Sequence, residues 1–123
     1  KDRFLKNTLK CSNSKTEFNF IESDFRKVDY TNIGKFNVYL FDGPHLEEDQ
    51  YDGIKVALPA LDETFTLIVD DWNWKRVQNG TIRAINDFNL KVHCSITIKT
   101  TKKPCQKEVT DWHNGYFIAL CSK

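Results

Sequence analysis

The clearest feature of the sequence is a series of short apolar runs separated by polar stretches. Residues 36–42 (FNVYLFD) and 65–70 (FTLIVD) are nearly continuous apolar runs, a pattern typical of strands covered on both faces, as in a parallel sheet. Residues 91–100 and 115–121 alternate between apolar and polar positions, which predicts two further strands. A weaker alternation predicts another strand over residues 17–24.

Helical spacing of apolar residues marks the segments between these runs. It predicts a short helix over residues 2–11 and longer helices over residues 46–61 and 74–88. The acidic first turn of the 46–61 helix suits the positive end of the helix dipole. Residues 101–114 are polar and contain Pro104, so they are predicted to form a long hairpin loop.

The order of these elements predicts an α/β fold. Strands and helices alternate in the middle of the chain, which favours a mainly parallel sheet of about five strands with right-handed crossovers. No helix separates the last two strands, so they should form an antiparallel C-terminal hairpin. A chain of 123 residues is long enough for one modest core, and we expect a single domain over residues 1–123.

The composition narrows the classes of partner. The formal net charge is +1 and 28% of the residues are charged, which is typical of a globular protein and argues against nucleic-acid binding. No apolar run is long enough to cross a bilayer, and the chain does not start with a signal-peptide pattern, so we expect no membrane partner and a cytoplasmic location. No CxxC pair occurs among the cysteines, which are interpreted as free thiols, although a disulfide stays open.

Acidic residues follow the two buried strands. Asp42 ends the first run and is followed by Gly43-Pro44-His45, while Asp70 and Asp71 end the second. Ligands of open α/β sheets bind at the carboxyl ends of the strands. If the strands are neighbours, the three carboxylates and the imidazole converge and could bind a hard divalent cation such as Mg²⁺, and one of the acids or His45 could act as a general base.

Each of these residues also has a simpler structural interpretation. Asp-Gly after a strand is a common turn signal, either acid at the end of the second run could cap the next helix, and a loop histidine is usually solvated. Asp24 follows a predicted strand and could cap a turn. Trp72 and Trp74 could line a pocket for a cofactor ring, or pack in the core or at an interface.

Residues 17 to the C-terminus resemble the second half of class I S-adenosylmethionine-dependent methyltransferases of the macrocin O-methyltransferase-like group. The resemblance rests on the elements Asp42-Gly43-Pro44-His45 and Asp70-Asp71-Trp72, each at a strand end, and on the terminal hairpin. It implies a partial three-layer Rossmann-like fold. The family's Gly-rich cofactor turn has no counterpart, because no two of the five glycines lie close together in the sequence.

The resemblance also implies roles by position. Asp42, Asp70 and Asp71 would hold Mg²⁺ near an acceptor hydroxyl, and His45 would lie at the catalytic centre together with Asp42. The cofactor S-adenosylmethionine would contact Asp24 and Trp72, and the substrate would be a small molecule.

Three functions follow as hypotheses. The first is a small-molecule O-methyltransferase-like protein, the second a non-catalytic binding or oligomerisation module from a degenerate methyltransferase half, and the third a small carboxylate-metal hydrolase. In the family, the strand over residues 36–42 pairs with a strand that has no counterpart in these 123 residues. An open apolar edge favours pairing, so either the strand over residues 17–24 moves in beside it or a partner subunit covers it, and we expect a homo-oligomer.

Overall fold

Three helices and four strands make up the mixed α/β fold, which is seen in a computed structural model that describes residues 1–13, 15–99 and 114–123. The helices are α1 (Asp2–Cys11), α2 (Glu47–Ala57) and α3 (Lys75–Asp87). The strands are β1 (Phe36–Phe41), β2 (Leu61–Val69), β3 (Lys91–Ile98) and β4 (Tyr116–Ser122). Single 3-10 turns occur at Phe25–Lys27 and Leu58–Ala60.

Most elements lie where the apolar pattern predicted them. The two continuous apolar runs form β1 and β2, the two alternating runs form β3 and β4, and the three predicted helices are present. Helix α2 gives way to the 3-10 turn that contains Pro59, because proline has no N–H to continue the helical hydrogen bonds. The hairpin loop predicted over residues 101–114 lies outside the described residues, apart from Asn114.

The sheet has the strand order β1-β2-β4-β3. β1 and β2 are parallel, whereas β4 runs antiparallel to both of its neighbours, β2 and β3. The antiparallel C-terminal hairpin is therefore confirmed. The prediction of a mainly parallel sheet was wrong for the described strands, because the last strand inserts between β2 and β3 and makes two of the three pairings antiparallel.

The predicted fifth strand, over residues 17–24, is not present. Among the described residues β1 pairs only with β2, so its outer edge is free and no strand lies beside it. Phe18 and Phe20 instead lie against Phe4 of α1, with ring centroids 6.3 and 5.8 Å away. Alternation of apolar residues was a misleading signal here, since it reflects contact with a helix and not with a sheet.

One face of the sheet carries the hydrophobic core. Two rows of side chains run across the strands on this covered face, Tyr39-Leu67-Ala119 and Phe41-Val69-Phe117. Helices α2 and α3 both pack here, and the buried cluster unites Ile54, Val77 and Ala84 of the helices with these sheet residues. The described residues thus form two layers, one of helices and one of strands.

The opposite face has no covering layer among the described residues. We call it the open face, and it consists of two cross-strand rows, Val38-Thr66-Leu120-Cys94 and Leu40-Ile68-Ile118-Ile96. The side chains of Val38, Leu40 and Ile96 are exposed by 55%, 54% and 63%. The expectation that β1 is covered on both faces was therefore wrong for the described structure, although its apolar sequence is that of a doubly covered strand.

Two further predictions concern membrane-spanning segments and the state of the cysteines. In the described ranges, no helix has both the length and the apolar character needed to cross a bilayer. Cys11, Cys94 and Cys121 are free thiols, as predicted, with Cys121 buried in the core and the other two exposed. Cys105 lies outside the described residues.

Candidate functional site

The acidic residues meet at one edge of the sheet. Because β1 and β2 are parallel neighbours, their carboxyl ends lie side by side, and the chain emerges from them as Asp42 and as Asp70-Asp71. One carboxylate oxygen from each of the three residues lies within 4.8 Å of the others. The convergence predicted from the sequence is thus present in the structure.

Asp71 is the best-positioned acid of the group. It is buried, and its backbone adopts the left-handed conformation with φ of 57°, which aspartate tolerates better than most residues. The Asn114 amide donates a hydrogen bond to its carboxylate over 2.6 Å, and His45 Nε2 lies 2.6 Å from the other oxygen. Contacts on both oxygens fix the carboxylate in one orientation.

His45 reaches the acids through a tight turn after β1. A Cβ atom at Gly43 would lie 2.6 Å from the Phe41 ring, so only glycine lets the chain turn this closely over that ring. The imidazole then lies edge-on to Trp74, with ring centroids 4.6 Å apart, and 37% of its side chain stays exposed. His45 is therefore oriented on two sides and still accessible to a substrate.

Asp70 differs from Asp71 in its electrostatic environment. Partial burial raises the pKa of the Asp70 carboxyl, and the nearby charges of Asp71 and Asp42 raise it further. The Asp71 N–H and the Tyr116 hydroxyl, which hydrogen-bond to this carboxylate, oppose the increase. Burial and the same acids raise the pKa of Tyr116. Such mutual repulsion among carboxylates is what a bound cation would relieve.

The turn that leads into β4 closes the site from the other side. Backbone N–H groups of Trp72 and Asn73 donate to the carbonyl oxygens of Gly115 and Asn114, which joins the two loops. Gly115 has φ of 77°, and a Cβ atom there would lie 2.5 Å from the Ile98 carbonyl oxygen. No site role was predicted for Asn114 or Tyr116, although the Asn-Gly pair is a strong turn signal.

Asp24 lies apart from the three acids but borders the same strand end. Its carboxylate caps the 3-10 turn by accepting a hydrogen bond of 3.0 Å from the Arg26 N–H. Asp24 and Asp42 both line a cleft of about 590 Å³ at the free edge of β1, together with Tyr30 and Phe25. The capping role considered above is confirmed, and Asp24 and Asp42 of the acidic site line the same cleft.

The two tryptophans have separate roles. Trp72 is 7% exposed and stacks on Phe117 at 4.3 Å between ring centroids, so it is a core residue and presents no free ring face to a cofactor. Trp74, for which a pocket wall, core packing or an interface was expected, supports His45 and carries the Arg76 guanidinium 4.9 Å from its ring centroid. Core packing, one of the alternatives left open above, is the role of Trp72.

The arrangement suits chemistry on an oxygen nucleophile. Three carboxylate oxygens lie within 4.8 Å of one another, and carboxylate oxygens are the donors that Mg²⁺ and similar hard cations prefer. Beside them, the imidazole of His45 can accept a proton, and Asp71 stabilises the imidazolium that forms. Searches against protein-family models and against curated proteins found no match to this chain.

Proposed function

We propose that this chain is the metal-binding, acceptor-activating part of a small-molecule O-methyltransferase-like protein. The observation that carries the proposal is the convergence of Asp42, Asp70 and Asp71 beside His45 at the carboxyl edge of two parallel strands. The antiparallel terminal hairpin, which the family resemblance implies, gives further support.

In this function the three carboxylates would hold Mg²⁺, and the cation would supply Lewis-acid activation of an acceptor hydroxyl. His45 would accept the proton of that hydroxyl at Nδ1, because Nε2 is the nitrogen that contacts the Asp71 carboxylate. Asp71 keeps the imidazole in place and stabilises its charged form, while Trp74 limits the tilt of the ring. Alignment of the acceptor oxygen and removal of its proton are what a methyl transfer mainly requires from the protein.

The donor side of the reaction fits the chain less well. The five glycines are far apart in the sequence, so they provide no Gly-rich turn for S-adenosylmethionine. The aromatic and acidic lining of the cleft at Asp24 and Asp42 would suit a flat ring with amino groups. We therefore assign the acceptor side to the acidic site, and only the Asp24 cleft to cofactor contact.

Calorimetric titration with MgCl₂ or MnCl₂ tests the metal site. We expect binding by the native chain and its loss in Asp42→Asn and Asp70→Asn, which remove one charge each and keep the side-chain shape. Glu63→Gln, on the exposed surface near the opposite end of β2, is the matched control and should bind as the native chain does. Absence of binding at millimolar cation would overturn the site.

A second titration with S-adenosylmethionine separates the candidate reactions. Binding that weakens in Asp24→Asn supports a methyltransferase-like protein. Cation-dependent turnover of simple esters without S-adenosylmethionine binding would instead assign the same carboxylates to a hydrolase, and would overturn the methyl-transfer proposal.

The open face favours a second candidate function, a non-catalytic assembly module. Contiguous exposed apolar faces of this kind commonly mark protein–protein contacts. This candidate predicts stable self-association that is indifferent to Asp42→Asn and Asp70→Asn.

A further inference from the structure

The open face presents aliphatic side chains on all four strands. The row Leu40-Ile68-Ile118-Ile96 crosses the sheet from edge to edge, with Leu40 and Ile96 more than half exposed. The second row adds Val38 and Leu120. Four strands span about 19 Å, and the rows with their flanking residues cover about 20 Å along the strands, so the projected area is about 400 Å².

A second unsatisfied apolar surface lies at the start of the chain. We define the N-terminal segment as α1 together with residues 15–21. Helix α1 has no buried residue, and no residue of α1 belongs to the described core. Phe4 and Leu9 are exposed by 54% and 68%, and Phe20 and Ile21 by 42% and 49%. A helix of this length is marginal in water unless its apolar side is packed.

The two surfaces match in size. Helix α1 is about 15 Å long and about 10 Å wide, and the extended residues beside it span about 20 Å. A helix lying next to an extended segment therefore forms a plate with nearly the dimensions of the open face. Such a plate would supply the second covering layer that the apolar sequence of β1 implies.

The chain's own N-terminal segment does not cover the open face in the described structure. Arg26 forms ion pairs with Asp49 and Asp52 of α2, which packs on the covered face. Residues 23–26 line the cleft at the free edge of β1. From this edge the segment leaves the open face uncovered, because Leu40 and Ile96 stay more than half exposed.

We propose that a second copy of this chain covers the open face, and that the two N-terminal segments are exchanged reciprocally in a twofold dimer. Each contact then occurs twice. Covering about 400 Å² on both surfaces of two contacts buries about 1,600 Å² in total, which is the size of a standard specific interface. The occupant is thus a copy of the same chain, and its apolar residues are those that the monomer leaves exposed.

Sedimentation equilibrium of the full chain under reducing conditions tests the proposal. We expect a dimer, with association weakened about a hundredfold by Leu9→Lys in the segment or Ile96→Lys on the open face. Ile82→Lys is the matched control, because Ile82 is 45% exposed on α3 and away from both surfaces. Circular dichroism should show that all three variants fold, since each substituted side chain is exposed.

Mixing the two variants tests the exchange itself. Leu9→Lys keeps a native face and Ile96→Lys keeps a native segment, so a mixed dimer has one intact contact and places both substitutions in the other contact, which either substitution alone already disrupts. We expect the mixture to associate more tightly than either variant alone. A dimer that Leu9→Lys does not weaken, or a mixture no tighter than its components, would overturn reciprocal exchange.

Cysteine cross-linking provides a readout that requires no apolar substitution. Cys11 ends α1 and Cys94 lies on the open face, and both thiols are exposed. In a Cys105→Ser background, mild oxidation should give a covalent dimer that disappears in Cys11→Ser and in Cys94→Ser. A monomeric chain at tens of micromolar, or a Cys11–Cys94 disulfide within one chain, would overturn the proposal.

Discussion

The two faces of the sheet have similar sequences and different surroundings. The covered face buries Leu67 and Val69 against α2 and α3, whereas the open face leaves Leu40 and Ile96 more than half exposed. Burial of apolar area is the main favourable term in folding, so the covered face provides most of the stability of the isolated chain. In the dimer proposed above, the open face carries the same kind of residue because a second copy of the chain covers it.

The largest expected effect comes from truncating matched leucines on the two faces. Leu67→Ala should lower the free energy of unfolding by about 2–5 kcal/mol, because Leu67 is 0% exposed and its removal leaves a cavity. Leu40→Ala should cost about 1 kcal/mol or less in dilute solution, since its side chain is 54% exposed. Urea titrations of both variants measure the difference between their losses in free energy of unfolding. Equal losses at low concentration would show that the open face is already covered within one chain.

Tight helix packing on the covered face provides the next test. A Cβ atom at Gly80 would lie 2.1 Å from the Glu47 carbonyl oxygen, so Gly80→Ala must push α3 away from α2. We expect a net loss of about 2 kcal/mol, although alanine favours a helix over glycine by about 1 kcal/mol. Asn86→Ala, at an exposed position of α3, reports the helix propensity alone and should not destabilise the protein. A Gly80→Ala variant as stable as Asn86→Ala would contradict the close approach.

A smaller effect of opposite sign is expected at Thr81. This residue is 0% exposed, and its hydroxyl has no hydrogen-bond partner among the described residues. Thr81→Val keeps the shape and removes the orphan hydroxyl, so it should stabilise the protein by about 1 kcal/mol. Thr66→Val on the partly exposed open face should have little effect in dilute solution. Thermal unfolding of both variants measures the difference, and a destabilised Thr81→Val would mean that the hydroxyl has a partner.

The covered half of the fold could be predicted because its signals are local. Apolar runs and helical spacing located β1, β2, α2 and α3, and the acids that follow β1 and β2 located the site at one edge. Each of these depends on residues within one element or on the pairing of two successive strands. The antiparallel hairpin was predictable for the same reason, since no helix separates its strands.

What the sequence could not provide was the environment of each element. The alternation over residues 17–24 fits a strand equally well whether or not a neighbour exists, and the neighbour is missing from the described structure. The apolar run of β1 indicates two covered faces, but not which chain covers the second. Likewise, Trp72 and Trp74 are equally aromatic in sequence, and only the fold separates the core residue from the support of His45.

The smallest expected change in the free energy of unfolding comes from the acidic site, at the edge of the sheet where the two faces meet. Burial raises the pKa of Asp70 in the folded protein, so the unfolded chain loses this proton at a lower pH. Stability therefore falls as the pH rises from the ordinary value of the carboxyl through the raised one, and stays constant above it. In buffers containing EDTA, Asp70→Asn should remove this loss and give a small stabilisation at pH 7 that vanishes in acid.

Asp29→Asn should show the opposite trend, because hydrogen bonds from Thr31 and Asn32 lower the pKa of Asp29 and stabilise its charged form. Its destabilisation should likewise disappear as the pH falls through the lowered pKa. If both variants showed the same pH profile, the Asp70 carboxyl would be as well solvated as an exposed surface carboxyl. That result would contradict its partial burial at the acidic site.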